Sequence, residues 1–382
     1  MPAPFRTPSC SLCFGSVLAL ASGSFWAPFS LPASASASVA PANAPSGAKP
    51  SAVATAAAAS KAAAPAKAKT APPRKVTVAL DWTPNTNHTG LYVAKAKGLF
   101  KARGLEVTFV QPAQATTTQL VGAGKAHFGV SFMSDVIYAR AQKVPVKSVA
   151  AVIQENTSCL AWRKSAGIKG VKDWEGKRYG GWGSPEEEEK LRFIMEKNGA
   201  DFSKLKIVTT GVSDFVPTTE RNADFMWIFY AWDGIRAKRL GVEFETLCVK
   251  DVDPVFNQPS PLLITGDALA EREPELVKGF LAAVTEGYGL AITDPDAAAA
   301  LLLAEVPELD AGLVKDSAKW LANEYAKGTK RWGTQNLARW KSSVEWLSAR
   351  KLVKTPDTPA SHFSDAFLPP QSTRSTNPSP RK

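Results

Sequence analysis

From residue 75 onward the chain alternates strand-patterned and helix-patterned runs, breaks off, then starts the same alternation again before ending in helices. Val76, Val78 and Leu80 alternate with Thr77 and Ala79, which predicts a short strand stopping at Asp81-Trp82. A turn-rich loop and a helix over 91–97 follow, then strands over 105–110, 128–131 and 146–153 with helices over 116–123 and 136–142 between them. The second round starts after residue 171: a strand ending at Arg178-Tyr179-Gly180-Gly181, a helix over 185–198, and strands over 205–209 and 224–229. A strand over 262–265 then leads into helices over 274–290, 295–305, 310–325 and 334–351. Alternation at this spacing builds a mainly parallel sheet flanked by helices, because a parallel pair needs a crossover long enough to hold a helix. The expectation is an α/β chain of two lobes that close like a clamshell. Lobe 1 takes residues 75–165 plus 265–369, and lobe 2 takes 166–264.

Before residue 75 the pattern is absent. Residues 12–31 carry no charge, Arg6 precedes them, and small-x-small steps run from Ala33 to Ala40. That is the layout of a secretory signal peptide. Residues 1–40 are expected to be a signal and the protein periplasmic or otherwise extracytoplasmic, an uncleaved membrane anchor being the alternative. Ser24 stands after Leu20-Ala21-Ser22-Gly23, where a lipoprotein would need Cys, so lipidation is disfavoured. Residues 41–74, rich in Ala, Pro and Lys, read as a disordered tether and residues 370–382 as a disordered tail. Neither can bury enough apolar surface to offset its ordering entropy. The formal net charge is +11, and six basic residues with no acid lie before residue 75, which leaves +5 for the rest. A body so close to neutral does not support a nucleic-acid partner.

Three stretches concentrate chemistry at predicted strand ends, where open α/β sheets place ligands. The loop over 81–90 holds an acid, an indole, two amides, three hydroxyls and an imidazole. Its candidates are Asp81, Trp82, Asn85 and His88, although Asn85 and its neighbours would also serve simply to close turns. The stretch over 179–189 joins a glycine turn around Trp182 to a helix start, with Ser184 as N-cap, Pro185 at the first position and Glu187 completing a capping box. Its four glutamates suit the positive helix end and would repel a phosphate, so Trp182 and Glu186 point to a neutral or cationic ligand with N–H donors. Residues 225–229 read as a strand buried on both faces, and its end brings Phe229, Tyr230 and Asp233 to where the lobes would meet.

No Gly-x-Ser-x-Gly elbow and no Lys-bearing phosphate loop is present, and His88, His127 and His362 lack any metal-ligand spacing. Catalysis, a metal and a cofactor are all unexpected. Cys159 and Cys248 read as buried apolar residues, a disulfide formed after export being the alternative.

The segments 81–94, 180–185 and 227–232, in this order, resemble the ThiY branch of the substrate-binding proteins, which is related to the fungal thiamine-pyrimidine synthases and shares a fold with sulfonate-binding proteins. The resemblance covers roughly residues 75–369. It implies the type II periplasmic-binding-protein clamshell. It also implies capture of formylaminopyrimidine or hydroxymethylpyrimidine and delivery to the permease and ATPase of an ABC importer, by a monomer. Motif by motif, the family's ligand contacts fall on Asp81, Trp82, Phe132 and Glu186, with a further aromatic and acid at Phe229 or Tyr230 and at Asp233. Phe132 stands where relatives are expected to carry Tyr. The same aromatic clamp would accept riboflavin or another flat heterocycle, which is the first alternative. The second is a synthase, but aligned on 128–131 the synthases' cofactor-bearing Lys and sacrificial His fall on Ser131 and Asp135, and their cysteine-rich iron motif has no counterpart.

Overall fold

A computed structural model describes residues 72–111, 115–211, 213–354 and 358–370. The expected signal segment, most of the tether and the tail lie outside these residues. Among the described residues ten strands form two five-stranded sheets. The first sheet contains β1 (Arg74–Ala79), β2 (Leu105–Val110), β3 (Phe128–Ser131), β4 (Val146–Ala151) and β10 (Leu262–Gly266). The second contains β5 (Ser158–Arg163), β6 (Arg178–Gly181), β7 (Lys206–Thr209), β8 (Phe225–Phe229) and β9 (Phe244–Cys248). Their orders are β2-β1-β3-β10-β4 and β7-β6-β8-β5-β9. These are one order used twice. In each sheet four strands run the same way and one is reversed, β10 in the first and β5 in the second.

Both reversed strands are the ones the chain enters directly from the other sheet. The expectation of mainly parallel sheets is thereby refined to mixed sheets. The expected lobe limits also shift: β5 lies in the second sheet and Leu262–Gly266 wholly in the first, so the chain crosses at residues 152–157 and 249–261 rather than at 165 and 264. Sequence pattern missed β5 because its Ser-Cys-Leu-Ala-Trp stretch is buried on both faces and does not alternate. It missed β9 because that edge strand carries Glu245 among half-buried residues.

Helix starts follow local capping. Thr116 accepts the Gln119 N–H at 3.3 Å while the Gln119 side chain accepts the Thr116 N–H at 3.0 Å. Pro185, Pro274 and Pro295 occupy first helical positions, where a missing N–H costs nothing. The first sheet packs on the long helix Pro274–Thr293, with Phe128 stacked on Phe280 at 3.8 Å between ring centroids. That helix crosses helix Thr89–Ala96 so closely that a Cβ on Gly287 would lie 2.0 Å from the Gly90 carbonyl oxygen. Only glycine allows this approach, and it fixes where the 81–90 loop stands. The second sheet packs Trp174 against Phe225 at 4.7 Å. Among the described residues no helix is long and apolar enough to cross a membrane.

Candidate ligand-binding cleft

The two sheets face a cleft of about 650 Å³, within the range that encloses small organic ligands. It is lined from the carboxyl ends of β1 and β3 on one side and of β6 and β8 on the other. Of the ten residues expected from sequence, the structure brings eight to its wall: Asp81, Trp82, Asn85, Phe132, Trp182, Glu186, Phe229 and Asp233. His88 and Tyr230 do not line it.

Aromatic rings give the cleft its apolar character. Trp82 and Trp182 are 37% and 43% exposed, two of the four large apolar side chains left open to solvent among the described residues. Such exposure is costly unless something covers the ring. Phe132 and Phe229, from opposite sheets, stack with centroids 5.8 Å apart and planes 26° from parallel. Trp182 meets Trp227 edge to face at 5.7 Å.

Asp81 is oriented from behind. His88 is fully buried, its Nδ1 accepts the Asn85 N–H at 3.2 Å, and its Nε2 lies 2.6 Å from Asp81 Oδ1. Because Nδ1 is the acceptor, the ring proton sits on Nε2 and is donated to the carboxylate. His88 is thus a positioning residue for Asp81 and not a wall residue, which corrects its expected ligand contact. Asn85 reaches the wall, but its amide closes the loop: Oδ1 accepts from Asn87 N at 2.8 Å and Nδ2 donates to Thr83 O at 2.9 Å. Tyr230 turns away onto Trp320, 5.4 Å between centroids, because the five-residue π-turn Tyr230–Gly234 rotates it out of line with Phe229.

Two glutamates divide the work expected of the 179–189 stretch. Ser184 Oγ accepts the Glu187 N–H at 3.1 Å, as a cap should. The Glu187 carboxylate is also drawn into the glycine turn: it accepts from Tyr179 OH at 2.6 Å, Gly183 N at 2.9 Å and Trp182 N at 3.3 Å. Gly183 has φ +86°, which turns these N–H groups inward beside that of Ser184. Burial raises the Glu187 carboxyl, and the four hydrogen bonds around it pull the other way. Glu186 stays on the wall and pairs with Lys190 Nζ at 2.6 Å.

Asp233 Oδ2 accepts the Phe229 N–H at 3.0 Å, and burial pushes its carboxyl up to about 6. Asp135, weighed in the sequence only as a synthase position, also lines the cleft. Burial first, and then the charge of Glu186, push its carboxyl up to about 6. Its place just past β3, matching that of Asp233 just past β8, is the signal that could have found it. Altogether the wall carries five carboxylates (Asp81, Asp135, Glu186, Glu187, Asp233) against one lysine, Lys190, an arrangement hostile to an anion. Below the cleft, Cys159 and Cys248 are register partners on β5 and β9 and form a disulfide, which settles the alternative left open by the sequence.

Residues 85–298, over half of the chain, match the family described as NMT1/THI5 like, and the chain belongs to that family. It is 28% identical to the formylaminopyrimidine-binding protein of Halalkalibacterium halodurans over 76% of this chain and 89% of that one. It is 26% identical to the riboflavin-binding protein RibY of Chloroflexus aurantiacus, over 80% and 89%. A 4-amino-5-hydroxymethyl-2-methylpyrimidine phosphate synthase of Legionella pneumophila is 28% identical over 62% and 75%. The periplasmic aliphatic sulphonate binding protein SsuA of Escherichia coli superposes with a TM-score of 0.59 at 17% identity, over 76% of this chain and 92% of that one. That likeness establishes the type II periplasmic-binding fold.

Proposed function

We propose that the protein is an extracytoplasmic solute-binding protein of an ABC importer that captures a flat aminoheterocycle, a thiamine-derived pyrimidine above all. The observation that carries this reading is the wall itself: exposed Trp82 and Trp182, the stacked pair Phe132 and Phe229, and five carboxylates on one cleft. A flat ring enters such a slot on its faces, and each aromatic contact adds about 1 kcal/mol beyond burial. Carboxylates accept the N–H donors on its edge. The names of the pyrimidine-binding and flavin-binding relatives support the same ligand class. The disulfide supports an oxidising compartment, where the signal-like leader would send the chain.

One observation favours the larger-ligand reading: about 650 Å³ is more room than a single substituted pyrimidine needs, so a flavin is the second candidate. Turnover by the synthase route fits these residues poorly. Ser131 is buried and donates to Asp135, and the single wall lysine, Lys190, is already held by Glu186. Mass spectrometry of the ligand retained by the protein as isolated separates pyrimidine from flavin. Calorimetry should then give micromolar or tighter binding of formylaminopyrimidine or hydroxymethylpyrimidine. Binding of no thiamine-derived pyrimidine and no flavin, or conversion of either, overturns the proposal.

A further inference from the structure

The repeated strand order extends to the residues placed in the cleft. The first strand of each round leads to a tryptophan, Trp82 after β1 and Trp182 after β6. The third leads to a phenylalanine and then an aspartate: Phe132 and Asp135 after β3, Phe229 and Asp233 at the end of β8. The two phenylalanines stack on each other. Each aspartate is held by the backbone N–H of its own phenylalanine. Asp135 sits in the first turn of helix Met133–Ala141 and is open to the cleft, with Ser131 Oγ donating to its Oδ2 at 3.3 Å. Glu186 from the other lobe, paired with Lys190 at 2.6 Å, lines the same cleft, as does Tyr138, and the charges of Glu186 and Lys190 both act on the Asp135 carboxyl.

Building on the function proposed above, we propose that Asp135 is the specificity-determining residue that makes the cleft demand a cationic N–H edge, the amidinium-like edge of a protonated aminoheterocycle, set between Asp135 and Glu186. Carboxylates only accept. Two of them brought together from opposite lobes repel unless a donor or a positive charge lies between. Lys190 supplies one positive charge and is committed to Glu186, so the deficit remains for the ligand to fill. An amidinium presents two parallel N–H groups that a single carboxylate takes in bidentate fashion. A helix-start aspartate that only stabilises its helix is the bland reading, and asparagine there would keep the bonds to Phe132 and Ser131.

The test uses the full-length protein at neutral pH with two probes, 4-amino-5-hydroxymethyl-2-methylpyrimidine and its 4-oxo counterpart. Wild type should prefer the amino probe by roughly a hundredfold, because the oxo edge leaves the carboxylate acceptors unmatched. Asp135→Asn should lose about tenfold or more for the amino probe and less than about threefold for the oxo probe, with its melting temperature kept. Wild-type calorimetry in two buffers of different ionisation enthalpy should show uptake of about one proton with the amino probe and none with the oxo probe. Zero uptake overturns the inference, as does an Asp135→Asn variant that binds the amino probe like wild type or loses equally for both. Wild type that binds neither probe removes the pyrimidine reading and the inference with it.

Discussion

Trp82 and Trp182 are exposed where a ligand would cover them, and their energetic role follows from that exposure. Trp82→Ala should weaken ligand binding by ~1–3 kcal/mol, the usual loss for an aromatic stacked on a heterocycle. Leu240→Ala, more exposed still but away from the cleft, should leave affinity unchanged in the same titration. Asp233 lines the cleft and also holds the Phe229 N–H. Asparagine can still accept the Phe229 N–H, so Asp233→Asn should lower affinity by about one decade or more while the fold is kept. The sign of its pH dependence is fixed by its raised carboxyl, about 6 in the fold against an ordinary 3.8. Between those values the folded chain binds the proton more tightly than the unfolded one. The penalty for this group is complete above about pH 6 and vanishes below about pH 4. Near pH 7.5 Asp233→Asn should therefore melt at or above the wild-type temperature, and near pH 4 that advantage should disappear. A variant that melts lower at neutral pH would mean the carboxylate is chiefly structural.

At the scale of elements, two devices hold the second sheet's contribution in place. The Glu187 carboxylate gathers Tyr179 OH and the N–H groups of Trp182 and Gly183, so it fixes the turn that projects Trp182. Glu187→Ala strands the buried Tyr179 hydroxyl, and the cost should be about 1–3 kcal/mol in chemical unfolding. Ligand affinity should fall with it, because the Trp182 turn loses its anchor. The disulfide joins the strand by which the chain enters the second sheet to the strand by which it leaves. Replacing both cysteines by serine should cost about 2–4 kcal/mol, read as a lower melting temperature that reductant no longer changes. Binding of the folded variant should persist, since neither cysteine lines the cleft.

Across the whole molecule, the two sheets' loops are also joined by contacts far from the crossovers. Thr86 Oγ1 and Ser317 Oγ lie 2.6 Å apart, and Ser317 Oγ donates to the Ala231 carbonyl, with all three residues buried. This chain links the ligand loop after β1, through helix Ala311–Leu321, to the turn that carries Asp233. Arg239 adds an exposed ion pair with Asp316 of the same helix at 2.6 Å. Ser317→Ala removes the bridge between Thr86 and the Ala231 carbonyl. Its ligand should dissociate faster, with affinity lower by about tenfold. Small-angle scattering of the unliganded variant should give a larger radius of gyration than wild type. An unchanged dissociation rate would assign the bridge to folding alone.

Much of this was legible along the chain because it depends on local periodicity and turn chemistry. The alternation from Val76, the Ser184-Pro185 helix start and the aromatic at the end of each first strand are properties of neighbouring residues. They sufficed for two α/β units and for seven of the eight wall residues, Phe132 being reached only through the family resemblance. What neighbours cannot encode is which surface a residue meets. His88 looks like a ligand in the sequence and is buried as the support of Asp81, because the Asn85 N–H claims its other nitrogen. Tyr230 and Phe229 are adjacent, and only the π-turn separates the one that faces Phe132 from the one that faces Trp320. Cys159 and Cys248 lie 89 residues apart, and it is strand register that makes them partners. Asp135 is the clearest case. A carboxylate in a first helical turn is commonplace, and it becomes part of a site only when a second sheet, built on the same strand order, brings Glu186 across from it.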